Sequence, residues 1–67
     1  MYFIHWESSS HPDALPFNTL EDAKRVAHIA QCRDVRDHGN YDDFKIVRHV
    51  SGEFVEVYDS IRDIVAA

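Results

Sequence analysis

The densest gathering of reactive side-chain types is the run Arg36-Asp37-His38-Gly39-Asn40-Tyr41-Asp42-Asp43. Carboxylates around a glycine are what a calcium loop offers, so the run is tested first against that geometry. Such a loop needs oxygen ligands at its first, third and fifth positions, a glycine at the sixth and a glutamate at the twelfth. With Asp34 in the first position, Arg36 and His38 fall where oxygens are required, Gly39 does fall at the sixth, and Lys45 occupies the twelfth. A simpler chemistry accounts for more of these residues. Gly39 suits the left-handed residue just past a helix, Arg36 and His38 suit the negative end of a helix dipole, and Asn40 and Asp42 form turns.

Histidines are the next candidates, five of them in 67 residues. His5 and His49 are expected on one sheet surface with Glu7 and Glu56 nearby, which would suit a transition metal only if the two rings met. The strand order expected below puts a whole strand between them, so no metal or other cofactor is predicted. Gly39 and Gly52 are the only glycines, which leaves no phosphate-cradling loop, and no G-x-S-x-G motif is present. Cys32 follows the apolar side of a helix and reads as a small, half-buried residue, not as a nucleophile. A domain of this size has little room for a substrate pocket. The expectation is a protein that is not an enzyme.

Composition narrows the alternatives. Seven Lys and Arg against twelve Asp and Glu give a net charge of -5, with the basic residues scattered, which disfavours direct nucleic-acid binding and leaves a basic protein surface as a suitable partner. A single cysteine excludes an internal disulfide, so a chain this short gains most from oligomerisation or from a partner. No apolar run is long enough for a membrane span, and the first residues lack the pattern of a signal peptide, so a soluble, cytoplasmic protein is expected.

The elements that must position these residues are read from period and punctuation. Residues 2 to 7, Tyr-Phe-Ile-His-Trp-Glu, are aromatic and β-branched in alternation and predict a strand. Ser8 to Phe17 holds two prolines and three serines and predicts a loop. Thr19-Leu20-Glu21-Asp22 is a capping box, and Leu20, Ala23, Val26, Ala27 and Ala30 make an apolar stripe rimmed by Ile29, with Glu21, Lys24, Arg25, His28 and Gln31 away from it. Phe44 to Val50 and Glu53 to Asp59, separated by Ser51-Gly52, predict a hairpin with a type I′ turn. Ser60 to Asp63 repeats a capping-box pattern ahead of Ile61, Ile64 and Val65, which predicts a short C-terminal helical turn.

These parts make one small α+β domain covering residues 1–67, with a three-stranded sheet and one helix on one face. A right-handed crossover through the helix makes the first two strands parallel, with the third inserted between them as a split βαβ sheet of order 1-3-2. Order 1-2-3 is the alternative. Pairing Val50 with Glu53 puts Phe44, Ile46, Arg48, Val55 and Val57 on the helix face and Lys45, Val47, His49, Phe54, Glu56 and Tyr58 on the other. Phe3 and His5 join that second face, which one helix cannot cover. An aromatic, apolar surface left open is the signature of a protein contact, unless the C-terminal segment or Leu15-Pro16-Phe17 folds across it. The candidate partner-binding residues are therefore Phe3, His5, Val47, His49, Phe54, Glu56 and Tyr58. Asp34, Asp37, Asp42 and Asp43 are expected to add an acidic corner that complements a basic partner. A homodimer using the same face is the second expectation.

The strand, the helix opening Thr-Leu-Glu-Asp-Ala-Lys-Arg-Val-Ala and the tight hairpin together resemble the small accessory proteins of bacteriophages, anti-CRISPR proteins among them. The resemblance covers about residues 19 to 58 and lies in element order. It implies a stoichiometric inhibitor in the cytoplasm of a bacterial host, seated on a basic surface of a nuclease complex.

Overall fold

A computed structural model of the chain describes residues 1–39 and 41–61. Four elements follow one another: β1 (Tyr2–Trp6), α1 (Leu20–His38), β2 (Phe44–Val50) and β3 (Glu53–Asp59). The ends of α1 are where local chemistry puts them. Thr19 is extended (φ -131°, ψ 154°), and its hydroxyl accepts from the Asp22 N–H at 3.1 Å, while the Asp22 carboxylate takes Arg25 Nη2 at 2.6 Å. Gly39 closes the helix in the left-handed region at φ 68°, where a side chain would be strained, and its N–H donates to Val35 O at 3.0 Å. Ser51 and Gly52 both have positive φ, 51° and 81°, which is the type I′ pattern of a two-residue hairpin.

The sheet is antiparallel throughout, in the order β1-β2-β3, so the parallel pairing and the 1-3-2 order are corrected. The reason lies in the loop before the helix. After Trp6 the chain turns back along the outer edge of β1, where Tyr2 N–H donates to Phe17 O and Phe17 N–H to Tyr2 O, each at 2.8 Å. The reversal is therefore complete before α1 begins. The helix, about 28 Å long at 1.5 Å per residue, then runs forward beside β1 and delivers the chain to Phe44, opposite Trp6. The crossover rule does not apply, because the loop and not the helix carries the chain back.

Ile4, Ala23, Ala27, Phe44 and Ile46 form the core, with Tyr2, Trp6, Phe17, Leu20 and Tyr58 packed around it. Phe44 is fully buried and lies between the rings of Trp6 at 5.5 Å, Tyr58 at 5.8 Å and His28 at 5.1 Å. The buried row of α1 is Ala23, Ala27 and Gln31, each four residues from the next, instead of the stripe through Val26 and Ala30. Val26, Ile29 and Cys32 are exposed, so Cys32 is not the half-buried residue expected. Gln31 turns inwards because its Nε2 donates to Asp42 O at 2.9 Å and satisfies a carbonyl of the segment entering β2.

Of the expected C-terminal helical turn, residues 62 to 65 lie outside the described residues. The Ser60 hydroxyl, expected to cap that turn, is buried and accepts from Phe44 N–H at 3.0 Å, while Asp59 Oδ1 accepts from Ile61 N–H at 2.9 Å.

A candidate protein-interaction face

The register of the strands decides which side chains share the surface away from α1. Phe3 lies opposite Val47 and His5 opposite Lys45 across β1 and β2; His49 lies opposite Phe54 and Val47 opposite Glu56 across β2 and β3. Because side chains alternate along a strand, Phe3, His5, Lys45, Val47, His49, Phe54 and Glu56 point away from the helix together. Six of the seven sheet residues expected to bind a partner are thus brought onto one face.

Tyr58 is the exception. The β2–β3 ladder shifts register between Ile46 and Val47, so that Ile46 meets Tyr58 while Val47 meets Glu56. A β-bulge of one extra residue turns every later side chain to the other face. Tyr58 therefore packs on Phe44 inside the helix layer, with Lys24 Nζ 4.7 Å above its ring centroid and its hydroxyl 3.4 Å from His28 Nε2. It belongs to the core and not to the open face.

The open face has a centre and a rim. Val47 is only 6% exposed although α1, the one helix among the described residues, lies on the other side of the sheet. On the same face Phe3 and Phe54 meet edge to face at 5.7 Å and His49 lies against Phe54 at 5.0 Å; residues 62–67, the C-terminal segment expected as an alternative cover for this face, lie outside the described residues. Edge-to-face aromatic pairs contribute about 0.5–1.5 kcal/mol beyond area burial, which favours this arrangement of the Phe3 and Phe54 rings. Phe54 nonetheless remains 52% exposed. At one end His5 is committed to the fold, since its Nε2 lies 3.0 Å from the carbonyl of Ser9 and ties down the start of the loop. The Leu15-Pro16-Phe17 segment does not cross the face. Phe17 pairs with the β1 edge and packs towards the core, and Leu15 is exposed.

Neighbouring strands bring His5 and His49 closer than the 1-3-2 order would, but their separation now runs along β2. Lys45, opposite His5, is four residues from His49, or about 13 Å of strand rise. Among the described residues no three His, Cys, Asp or Glu side chains gather as metal ligands.

The acidic corner divides. Asp42 Oδ2 accepts from Ser8 Oγ at 2.6 Å, and Asp43 accepts from Ser60 Oγ at 3.3 Å while its carbonyl takes Glu7 N–H at 2.8 Å. Both hold the entry to β2 in place. Asp37 pairs with Arg36 at 3.1 Å on the surface, and Asp34 lines an open groove of about 420 Å³ with Ser8, His38, Tyr41 and Asp42. Asp34 and Asp37 stand on the helix layer, on the opposite side of the sheet from Phe3 and Phe54. The structure therefore does not join the acidic and aromatic groups into one patch. The residues that sequence reasoning missed are Gln31 and Ser60, buried polar groups that fasten the loop segments to the core. The spacing of Gln31 from Ala23 and Ala27 was the available signal for the first; nothing local marked the second.

No helix among the described residues is long and apolar enough to cross a membrane. Compared with protein-family models, curated proteins and solved structures, the chain matches none.

Proposed function

We propose that the chain is a non-catalytic protein-binding module whose contact surface is the open sheet face, with Phe3, Val47, His49 and Phe54 at its centre and His5, Lys45 and Glu56 around it. The observation that carries the reading is the half-exposed Phe54 ring, flanked by Phe3 and His49 on the sheet face opposite the one described helix. A rigid aromatic anchor with a polar rim is the composition of an interface hot spot. The polar groups that could otherwise suggest chemistry are occupied in folding: Gln31, Ser60, Ser8 and Asp42 all bond to the chain itself. The net charge of -5 suits a basic partner. Resemblance in element order extends the proposal to a phage-type inhibitor of a host nucleic-acid-handling complex, acting in a bacterial cytoplasm. Asp34 and Asp37 would serve a second, separate contact on the helix layer.

The test is affinity capture from a bacterial lysate with mass spectrometry of what co-purifies, comparing the wild type with Phe3→Asp and Phe54→Asp. Both substitutions should abolish capture of a specific partner while leaving the circular dichroism spectrum unchanged. Capture that survives both would sink the reading. Tyr58 is unsuitable for this purpose, since a charge there would enter the core. Sedimentation equilibrium supplies the control: a dimer dissociated by the same substitutions would reassign the face to self-association.

A further inference from the structure

The helix α1 has a second row of residues that the sheet does not use. Its buried row, Ala23, Ala27 and Gln31, faces the sheet. About 140° round the helix from that row, at 3.6 residues per turn, stand Asp22, Val26, Ile29, Arg33 and Arg36. Their spacing alternates between four and three residues, which is the spacing of the seam between two paired helices. The row points away from the sheet, so its apolar residues meet solvent, with Val26 39% and Ile29 53% exposed.

Charge along this row is ordered, with an acid at its start, apolar residues in its middle and bases at its end. That order selects both an occupant and a direction. The midpoint between Asp22 and Arg33 is also the midpoint between Val26 and Ile29, so a single two-fold axis there, with the helices antiparallel, sets Asp22 against Arg33 and Val26 against Ile29. Each pair occurs twice. A parallel pairing in register would instead set Asp22 against Asp22 and Arg33 against Arg33, and like charges brought together are unfavourable.

A groove lies where that axis needs one. It has a volume of about 420 Å³ and is lined by Ile29, Cys32, Arg33 and Arg36, together with His28. The first four stand at i, i+3, i+4 and i+7, the corners of the hole in which one helix receives a side chain of another. The same axis carries Asp22 of a second copy to this hole, placing a carboxylate beside two guanidinium groups. Arg25 already holds Asp22 Oδ1 at 2.6 Å, and a carboxylate accepts several bonds, so the two contacts are compatible.

We propose that the outer face of α1 is a self-association surface, pairing antiparallel with α1 of a second copy about an axis between Ala27 and His28. The pairing is independent of the contact proposed for the open sheet face. It leaves both open faces on the outside of the pair, so the assembly offers that contact twice. One helix per copy makes a small interface, and the dimer should dissociate at about 10–100 µM.

The full chain is followed by sedimentation equilibrium up to about 1 mM, well above that range, with circular dichroism to show that each variant is folded. The wild type should be a reversible dimer. Ile29→Asp, at an exposed position, should raise the dissociation constant more than about tenfold. Asp22→Arg and Arg33→Asp should each raise it about five- to tenfold, because two attractive pairs per dimer become repulsive. An equimolar mixture of these two variants should recover dimers, since every reversed charge then meets its opposite. Phe3→Asp and Phe54→Asp should leave association unchanged. A wild-type monomer throughout the range, a dimer indifferent to Ile29→Asp and Arg33→Asp, or a mixture of folded variants that stays monomeric overturns the proposal. A dimer lost in Phe54→Asp but kept in Ile29→Asp overturns it too, in favour of the open face. If Asp22→Arg fails to fold, Ile29→Asp and Arg33→Asp decide alone. Partner capture through Phe54 should survive Ile29→Asp, so the two surfaces stand or fail separately.

Discussion

Phe44 and Phe54 are both strand phenylalanines with aromatic neighbours at about the same distance, yet one has no exposed surface and the other is 52% exposed. The helix face of the sheet is closed by α1 and by buried polar ties. Among the described residues, the other face carries its own rings and no second layer. The difference teaches that residue type does not separate a buried aromatic from an exposed one in a domain this small. What separates them is the layer beyond, and here the only helix described lies beyond Phe44. Stability should therefore reside mainly on the helix face, which leaves the other face for the proposed contact.

The sharpest way to break this comparison is to truncate both rings. Phe44→Ala removes the ring around which Trp6, His28 and Tyr58 pack, and such truncations cost about 3–5 kcal/mol. Small domains have total stabilities near the lower end of about 5–15 kcal/mol, so Phe44→Ala should be largely unfolded by circular dichroism at 37 °C. Phe54→Ala loses one edge-to-face contact, with Phe3, and should cost about 1 kcal/mol or less. Equal losses in urea denaturation would show that the open face is as much core as the helix face.

The same contrast explains which parts were legible in the sequence. Thr19 and Gly39 bound the helix, and Ser51-Gly52 the hairpin, through bonds and φ values that a few adjacent residues determine. Alternation from that turn placed Val47, His49, Phe54 and Glu56 on one face correctly. It failed past the bulge, where one extra residue sends Tyr58 into the core. Strand order failed for a similar reason. It depends on where the loop before α1 lies, and the pairing of Phe17 with Tyr2 is a long-range event that no local signal announces. In the run from Arg36 to Asp43, Gly39 ends the helix as expected, with Arg36 and His38 in its last turn, but the division of the acids into carboxylates that brace β2 and carboxylates that face solvent has no local signal.

A smaller effect sharpens the comparison on its closed side. Ser60 is 1% exposed, and its hydroxyl satisfies the N–H of the buried Phe44 while donating to Asp43. Ser60→Ala keeps the volume but orphans that N–H, at a cost of about 1–3 kcal/mol. Ser10→Ala, at an exposed loop position, should change stability by less than about 0.5 kcal/mol. Chemical denaturation distinguishes the two, and equal midpoints would mean that water reaches the Phe44 amide and that the helix side is less closed than its geometry indicates.

The smallest predicted change acts on the hinge between the two faces. Ser51 sits at φ 51°, a region that costs an L-residue with a side chain about 1–2 kcal/mol, and asparagine tolerates it better. Asparagine followed by glycine is also the preferred pair for this turn. Ser51→Asn should therefore stabilise the hairpin by about 0.5 kcal/mol, raising the melting temperature by about 2–4 °C in a domain of this size. Ser51→Gly relieves the same strain but enlarges the entropy lost on folding by about 0.4–1 kcal/mol, so its net effect should be near zero. Because the register from Val50–Glu53 onwards is unchanged in either variant, Phe54 stays on the open face and contact with a partner should be unaffected. A gain in melting temperature with unaltered partner capture would show that the stability of β3 and the recognition it displays can be adjusted separately. A loss of capture on stiffening the turn would instead mean that β3 must move to bind.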